Sequence, residues 1–146
     1  MADSTGVEAF IDGYRRTFET FDVAAIAACF TFPLGVTSDA ETVSPAVVPD
    51  EARWTPVIAR IVGAYRLLGV ARATVRSLTV AEVTARIAQA NAHWELQRAD
   101  GTTVYDFHSS YTVAATPDGL RITAIAHDEG PRLAAAVATL RGAAAG

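Results

Sequence analysis

The stretch Ala90-Asn91-Ala92-His93-Trp94-Glu95-Leu96-Gln97-Arg98-Ala99-Asp100-Gly101-Thr102-Thr103-Val104-Tyr105-Asp106-Phe107-His108-Ser109-Ser110-Tyr111 decides the fold. Asp-Gly between two alternating apolar runs is a strong short-range signal for a tight type I′ hairpin. With Asp100-Gly101 as the loop, Ala99 faces Thr102. Leu96 then pairs with Tyr105, Trp94 with Phe107, Ala92 with Ser109 and Ala90 with Tyr111. Side chains alternate across a strand, so these residues form one apolar, aromatic face. The opposite face pairs Glu95 with Asp106, His93 with His108 and Asn91 with Ser110. A curved sheet with one core face and one polar, titratable face follows.

Working outward, Pro117-Asp118-Gly119 turns a second hairpin, with Thr116 opposite Gly119. Strands are expected near Thr74–Val83, Thr84–Arg98, Thr103–Ala115 and Leu120–Asp128. Helices precede them. Val7, Phe10, Ile11, Tyr14, Phe18 and Phe21 repeat at helical spacing, predicting a helix over Val7–Phe21. Asp22 caps a short second helix from Val23 to Ala28, which Phe32-Pro33 follows as a stop. Thr55-Pro56 reads as an N-cap and first helical residue for a third helix ending at Gly69. The segment Leu34 to Arg53 reads as two short strands or an irregular lid. Pro131 to Gly146 is alanine-rich and reads as a last helix. Helices first and an antiparallel meander after them define an α+β fold.

The 146-residue chain suits one domain, with residues 1–6 and 142–146 expected to fray. A chain this long buries about 70% of the surface it exposes when unfolded, so it needs neither disulfide nor metal to fold. Its single cysteine, Cys29, cannot form an internal disulfide and reads as a buried small hydrophobe. A net charge of -4 without a basic run argues against nucleic acid and anionic membranes as partners. Neither a signal peptide nor a membrane span is recognisable, and the default reading is a cytoplasmic protein.

The long first helix, the connection Phe21-Asp22-Val23-Ala24-Ala25-Ile26, the helix end Leu68-Gly69-Val70, and the runs Trp94-Glu95-Leu96, Ser110-Tyr111-Thr112-Val113 and Asp118-Gly119-Leu120-Arg121-Ile122 carry a resemblance. The chain resembles the nuclear transport factor 2-like superfamily, which includes ketosteroid isomerase, scytalone dehydratase and the SnoaL-like cyclases. The resemblance implies a cone-shaped, cystatin-like fold in which a curved, mainly antiparallel sheet wraps around N-terminal helices. It also implies an internal pocket and a homodimer.

Such a pocket would be lined by Tyr14, Phe18, Trp54, Tyr65, Trp94, Tyr105, Phe107, Ser109 and Tyr111, and would take a small hydrophobic molecule. Continuing the register places Asp128 opposite Phe107 on the apolar face, where burial would raise its pKa and poise it as a general base. A bulge at Gly119 would exchange Asp128 for His127 at that position. Tyr14 or Tyr111 would then hydrogen-bond an enolate oxygen. The resemblance also points to a base before the meander, where Asp39 and Glu41 match only loosely. No cofactor is called for.

The alternative to a binding protein or acid/base enzyme is a noncatalytic homodimeric module using the outer sheet face. A third reading uses the same register, which aligns His93, His108 and His127 in one row beside Glu95, Asp106 and Glu129. Three imidazoles so placed suit a divalent metal, although their spacing matches no local metal motif.

Overall fold

Three aspartates start three helices. Asp3 Oδ1 accepts from Gly6 N at 2.9 Å, Asp22 Oδ1 from Ala25 N at 3.1 Å, and Asp50 Oδ1 from Arg53 N at 3.0 Å. Each satisfies an amide that the first turn leaves unbonded. The computed structural model describes residues 1–145, and these caps open α1 (Ser4–Glu19), α2 (Val23–Ala27) and α3 (Glu51–Leu68). Asp50, rather than Thr55, is thus the cap of α3. The helix starts five residues before the expected site, and Pro56 lies inside it. Gly69 closes α3 at φ +75°, as its position after Leu68 predicts.

The strands are β1 (Phe30–Asp39), β2 (Val43–Val48), β3 (Val70–Thr84), β4 (Ile87–Arg98), β5 (Thr103–Thr116) and β6 (Gly119–His127), and α4 (Glu129–Ala145) ends the chain. They form one sheet of order β2-β1-β6-β5-β4-β3. All neighbours run antiparallel except β1 and β6. The segment after Leu34 is therefore a strand pair, with Leu34 facing Val48 and Asp39 facing Val43. This is an α+β fold, with the helices on the face that carries the aromatic residues.

Pairing of β4 with β5 follows the expected register from Ala90↔Tyr111 to Leu96↔Tyr105. Its turn differs. Arg98 N donates to Thr102 O at 2.9 Å and Gly101 N to Arg98 O at 2.9 Å, so Ala99, Asp100 and Gly101 form a three-residue loop. Gly101 takes φ +87°, which glycine adopts without a Cβ penalty. The extra loop residue is offset by a bulge at Val104, after which Gln97 faces Thr103. Two one-residue irregularities cancel, so the face assignment holds.

Both chain ends are more engaged than expected. Ala2 is buried and its N–H donates to Ala85 O at 2.9 Å, tying the start of the chain to the β3–β4 turn. Helix α4 continues to Ala145, and Gly146 lies outside the described residues. Cys29 is half-buried rather than buried, and burial pushes its thiol pKa up.

Val7 and Ile11 of α1, Ile26 of α2, Leu34 of β1, Ile58 of α3, Val113 of β5 and Ile122 of β6 are the largest of the fully buried side chains. Each contributes about 1.5–3 kcal/mol of burial. The buried aromatic residues belong to the same core cluster.

Candidate functional site

The site is set by one residue, Thr123. From Thr116↔Gly119 to Val113↔Ile122, strands β5 and β6 pair as expected, but beyond Thr123 the register advances by one and Tyr111 faces Ile125 while Ser109 faces His127. A bulge reverses which alternate residues face the core. His127 and Glu129 therefore turn inward. Asp128 turns outward, where its Oδ1 accepts from His108 N at 2.8 Å and its other oxygen lies 3.7 Å from Arg132.

Glu129 is half-buried as a residue, with its carboxyl end directed into the molecule. Its Oε2 accepts from Tyr105 Oη at 2.8 Å and also from Tyr65 Oη. Its Oε1 has no hydrogen-bond partner among the described residues. Burial raises the carboxyl pKa above the usual range, the two tyrosine hydrogen bonds oppose that shift, and the nearby Asp128 charge adds to it. The result is a carboxyl group fixed by two phenols, with one oxygen unclaimed by the protein.

His127 sits two residues earlier on the same face. Glu129 N donates to His127 Nδ1 at 3.1 Å, so Nδ1 carries no proton and the neutral ring is the Nε2–H tautomer. Burial lowers the imidazole pKa, against a smaller opposing pull from Asp128. A raised carboxyl and a lowered imidazole thus line one cavity, a pattern suited to proton transfer.

That cavity measures about 90 Å³. Its wall is an aromatic cage in which Tyr14 meets Phe18, Phe30 and Tyr111 edge-on at centroid distances of 5.5, 5.8 and 5.6 Å, and Phe30 meets Trp54 at 5.2 Å. Trp94 Nε1 donates to Tyr111 Oη at 2.9 Å, which leaves the Tyr111 proton available to another acceptor. Burial pushes the phenol pKa values of Tyr14, Tyr65 and Tyr111 upward, so all three stay protonated donors at neutral pH. The indole Nε1 of Trp54 is buried without an acceptor.

Among the expected lining residues, Tyr14, Phe18, Trp54, Tyr65, Trp94, Phe107, Ser109 and Tyr111 all line the cavity, as does His127. Tyr105 stands behind Glu129 instead of reaching the space. Asp128 is corrected from the apolar face to the outer one, because the bulge at Thr123 shifts it by one position. Asp39 and Glu41 are exposed at the β1–β2 turn and neither lines the cavity.

The histidine row is broken for the same reason. His93 and His108 stack on the outer face with centroids 4.2 Å apart, and His93 Nε2 lies 2.7 Å from Asp106 Oδ2, while His127 is on the other side of the sheet. Among the described residues, no three His, Cys, Asp or Glu side chains converge as metal ligands.

Sequence reasoning missed Glu129 as a cavity group and missed Arg15, Glu19 and Arg72, which also line the space. One signal for Glu129 was present. Strict alternation after Ile122 turns the small Ala124 and Ala126 inward and the large Ile125 outward, and that inverted size pattern is what a bulge repairs.

An α+β fold whose curved sheet closes with helices over a small aromatic cavity describes the class of protein. The profile of the family described as NTF2-like protein (DUF6841) matches residues 3–130, and the chain belongs to that family. No curated protein matches the sequence. Among solved structures, an NTF2-like protein with a cystatin-like fold from Novosphingobium aromaticivorans is similar with TM-score 0.68 at 18% identity, covering 86% of this chain and 80% of that one. An NTF-2 like protein of unknown function from Shewanella oneidensis MR-1 is similar with TM-score 0.67 at 12% identity, covering 86% and 98%. A protein from Streptomyces avermitilis, provisionally named a dehydratase from the NTF2-like family, gives TM-score 0.63 at 12% identity over 85% and 93%. At these identities the likeness shows the fold alone.

Proposed function

We propose that this chain binds a small carbonyl or hydroxy compound in the aromatic cavity and moves a proton on it by side-chain acid/base chemistry, as an isomerase or dehydratase does. The observation that carries the reading is the Glu129 carboxyl, held by Tyr65 and Tyr105 with Oε1 free, beside a neutral His127. Glu129 Oε1 is the base that takes a proton from carbon next to a carbonyl. His127 Nε2–H and the Tyr111 hydroxyl are the donors for the oxygen that becomes negative. Proton transfer of this kind is also the class of chemistry that a dehydratase performs, in line with the provisional name of the Streptomyces neighbour. The test is deuterium exchange. Short ketones and keto acids incubated in heavy water should gain deuterium beside the carbonyl with the wild-type protein and not with Glu129→Gln. Equal exchange by both proteins rejects Glu129 as the base.

A second reading concerns the outer sheet face, where a groove of about 560 Å³ runs past Thr79, Asn91, His93, His108, Ser110 and Asp128. Its small polar residues suit pairing with a second copy of the chain through hydrogen bonds. The stacked His93 and His108 rings lie in that groove, so His93→Ala should weaken such a homodimer. Sedimentation of wild type and His93→Ala tests this, and equal masses for the two proteins reject a histidine-dependent interface.

A further inference from the structure

The cavity has a polar mouth. Ala71, Arg72 and Ala73 at the start of β3, together with Arg15 and Glu19 of α1, line the cavity and reach solvent, and they form the rim. Arg15 and Glu19 neutralise each other at 3.0 Å, and the second oxygen of Glu19 accepts from Ala73 N at 2.9 Å, fixing the rim to the helix. Arg72 is different. It is exposed, and among the described residues it has neither a salt bridge nor a side-chain hydrogen bond. The mouth therefore presents one uncommitted guanidinium, a group whose planar fork matches a carboxylate.

Deeper inside, Trp54 supplies an independent observation. It is 7% exposed, it lines the cavity, and its Nε1–H is the one buried side-chain donor without an acceptor among the described residues. A buried donor left unpaired costs about 1–3 kcal/mol, which a ligand oxygen would recover. The volume limits what lies between these two groups. An apolar cavity of about 150 Å³ holds benzene, so 90 Å³ holds about four non-hydrogen atoms.

We infer that the ligand is a short-chain oxo or hydroxy carboxylic acid, its carboxylate held at the mouth by Arg72 and its inner oxygen accepting from Trp54 Nε1. This inference rests on the proposed acid/base cavity and names its substrate class. Four inner atoms correspond to a ketone end such as CH₃–CO–CH₂, with the carboxylate outside the cage. An acid rather than a neutral ketone also accounts for a basic residue at the rim of an otherwise apolar site.

Binding is measured by nuclear magnetic resonance on the indole N–H signals of Trp54 and Trp94 with three probes: 4-oxopentanoate, its neutral amide 4-oxopentanamide, and pentanoate, which lacks the inner oxygen. Wild-type protein is expected to bind 4-oxopentanoate about three- to tenfold more tightly than the amide, the range for one partly solvated charge-assisted contact. Arg72→Gln, a surface change that leaves the core intact, should abolish that preference while leaving amide binding unaltered. Trp54→Phe should abolish the preference of the oxo acid over pentanoate. Equal wild-type affinities for acid and amide, or a preference that survives Arg72→Gln, overturn the inference and leave the cavity reading in place. Failure of all three probes to move either indole signal overturns both.

Discussion

Tyr105 Oη donates to Glu129 Oε2 at 2.8 Å, joining the middle of the sheet to the first residue of the last helix. That bond exists because Thr123 is an extra residue in β6. Without the bulge, strict alternation would turn Glu129 to the outer side with Asp106 and bring Asp128 to the apolar face in its place.

Glu129 gives the protein an unusual pH term. A carboxyl whose pKa is raised by folding stabilises the native state when protonated; that contribution is full below the ordinary glutamate value of about 4.3 and is lost as pH rises through the raised value. Glu129→Gln stays neutral throughout. The urea midpoint of wild type, compared with that of Glu129→Gln, should therefore fall as pH rises above the ordinary glutamate value and through the raised one. A relative gain for wild type over this range would be the opposite sign.

Glu95 gives a term of the other sign. Arg76 is the main cause and Thr103 the next, and together they hold Glu95 at about 2. Stability from this group is present above the ordinary carboxylate range and is lost as pH falls towards that value. Glu95→Gln should be less stable than wild type near neutrality, with the difference shrinking on acidification. A constant difference at every pH would mean that the loss comes from packing alone.

His127 should titrate below the ordinary histidine value of about 6.5, because burial lowers its pKa. Nitrogen-15 resonance of labelled protein should show an unprotonated Nδ1 and a protonated Nε2 at neutral pH, as the 3.1 Å contact from Glu129 N requires. The reverse tautomer would remove His127 as a donor to the cavity.

The two sheet faces should differ in energetic weight. Trp94 is 4% exposed and hydrogen-bonded to Tyr111, so Trp94→Ala should cost about 3–5 kcal/mol. His93 lies half-buried on the outer face beside Asp106, and His93→Ala should cost less than about 1 kcal/mol. Comparable losses in denaturant unfolding would reject the assignment of faces.

The fold was legible in the sequence because its strongest signals are local. Asp22 before an apolar run, Gly69 after one, and alternation from Ala90 to Leu96 each have a short-range cause. The β3–β4 turn at Ala85-Arg86 was hidden because neither residue is a turn former, and the strands on either side of it read as abutting. The site was half legible. Its aromatic wall follows from alternation, but its acid does not, since a single bulge moved Asp128 out and Glu129 in. Arg72 carries no local pattern at all, and its place at the mouth depends on how α1 packs across β3.

The most direct test of the account is a carbon-13 titration of the glutamate side-chain carboxyls, with the Glu129 signal assigned by its loss in Glu129→Gln. The account predicts a midpoint for Glu129 clearly above the ordinary value of about 4.3, with the signal perturbed in Tyr65→Phe and Tyr105→Phe. A midpoint at or below that value, unaffected by either tyrosine, would contradict the account, because Glu129 would then be a solvated surface carboxylate.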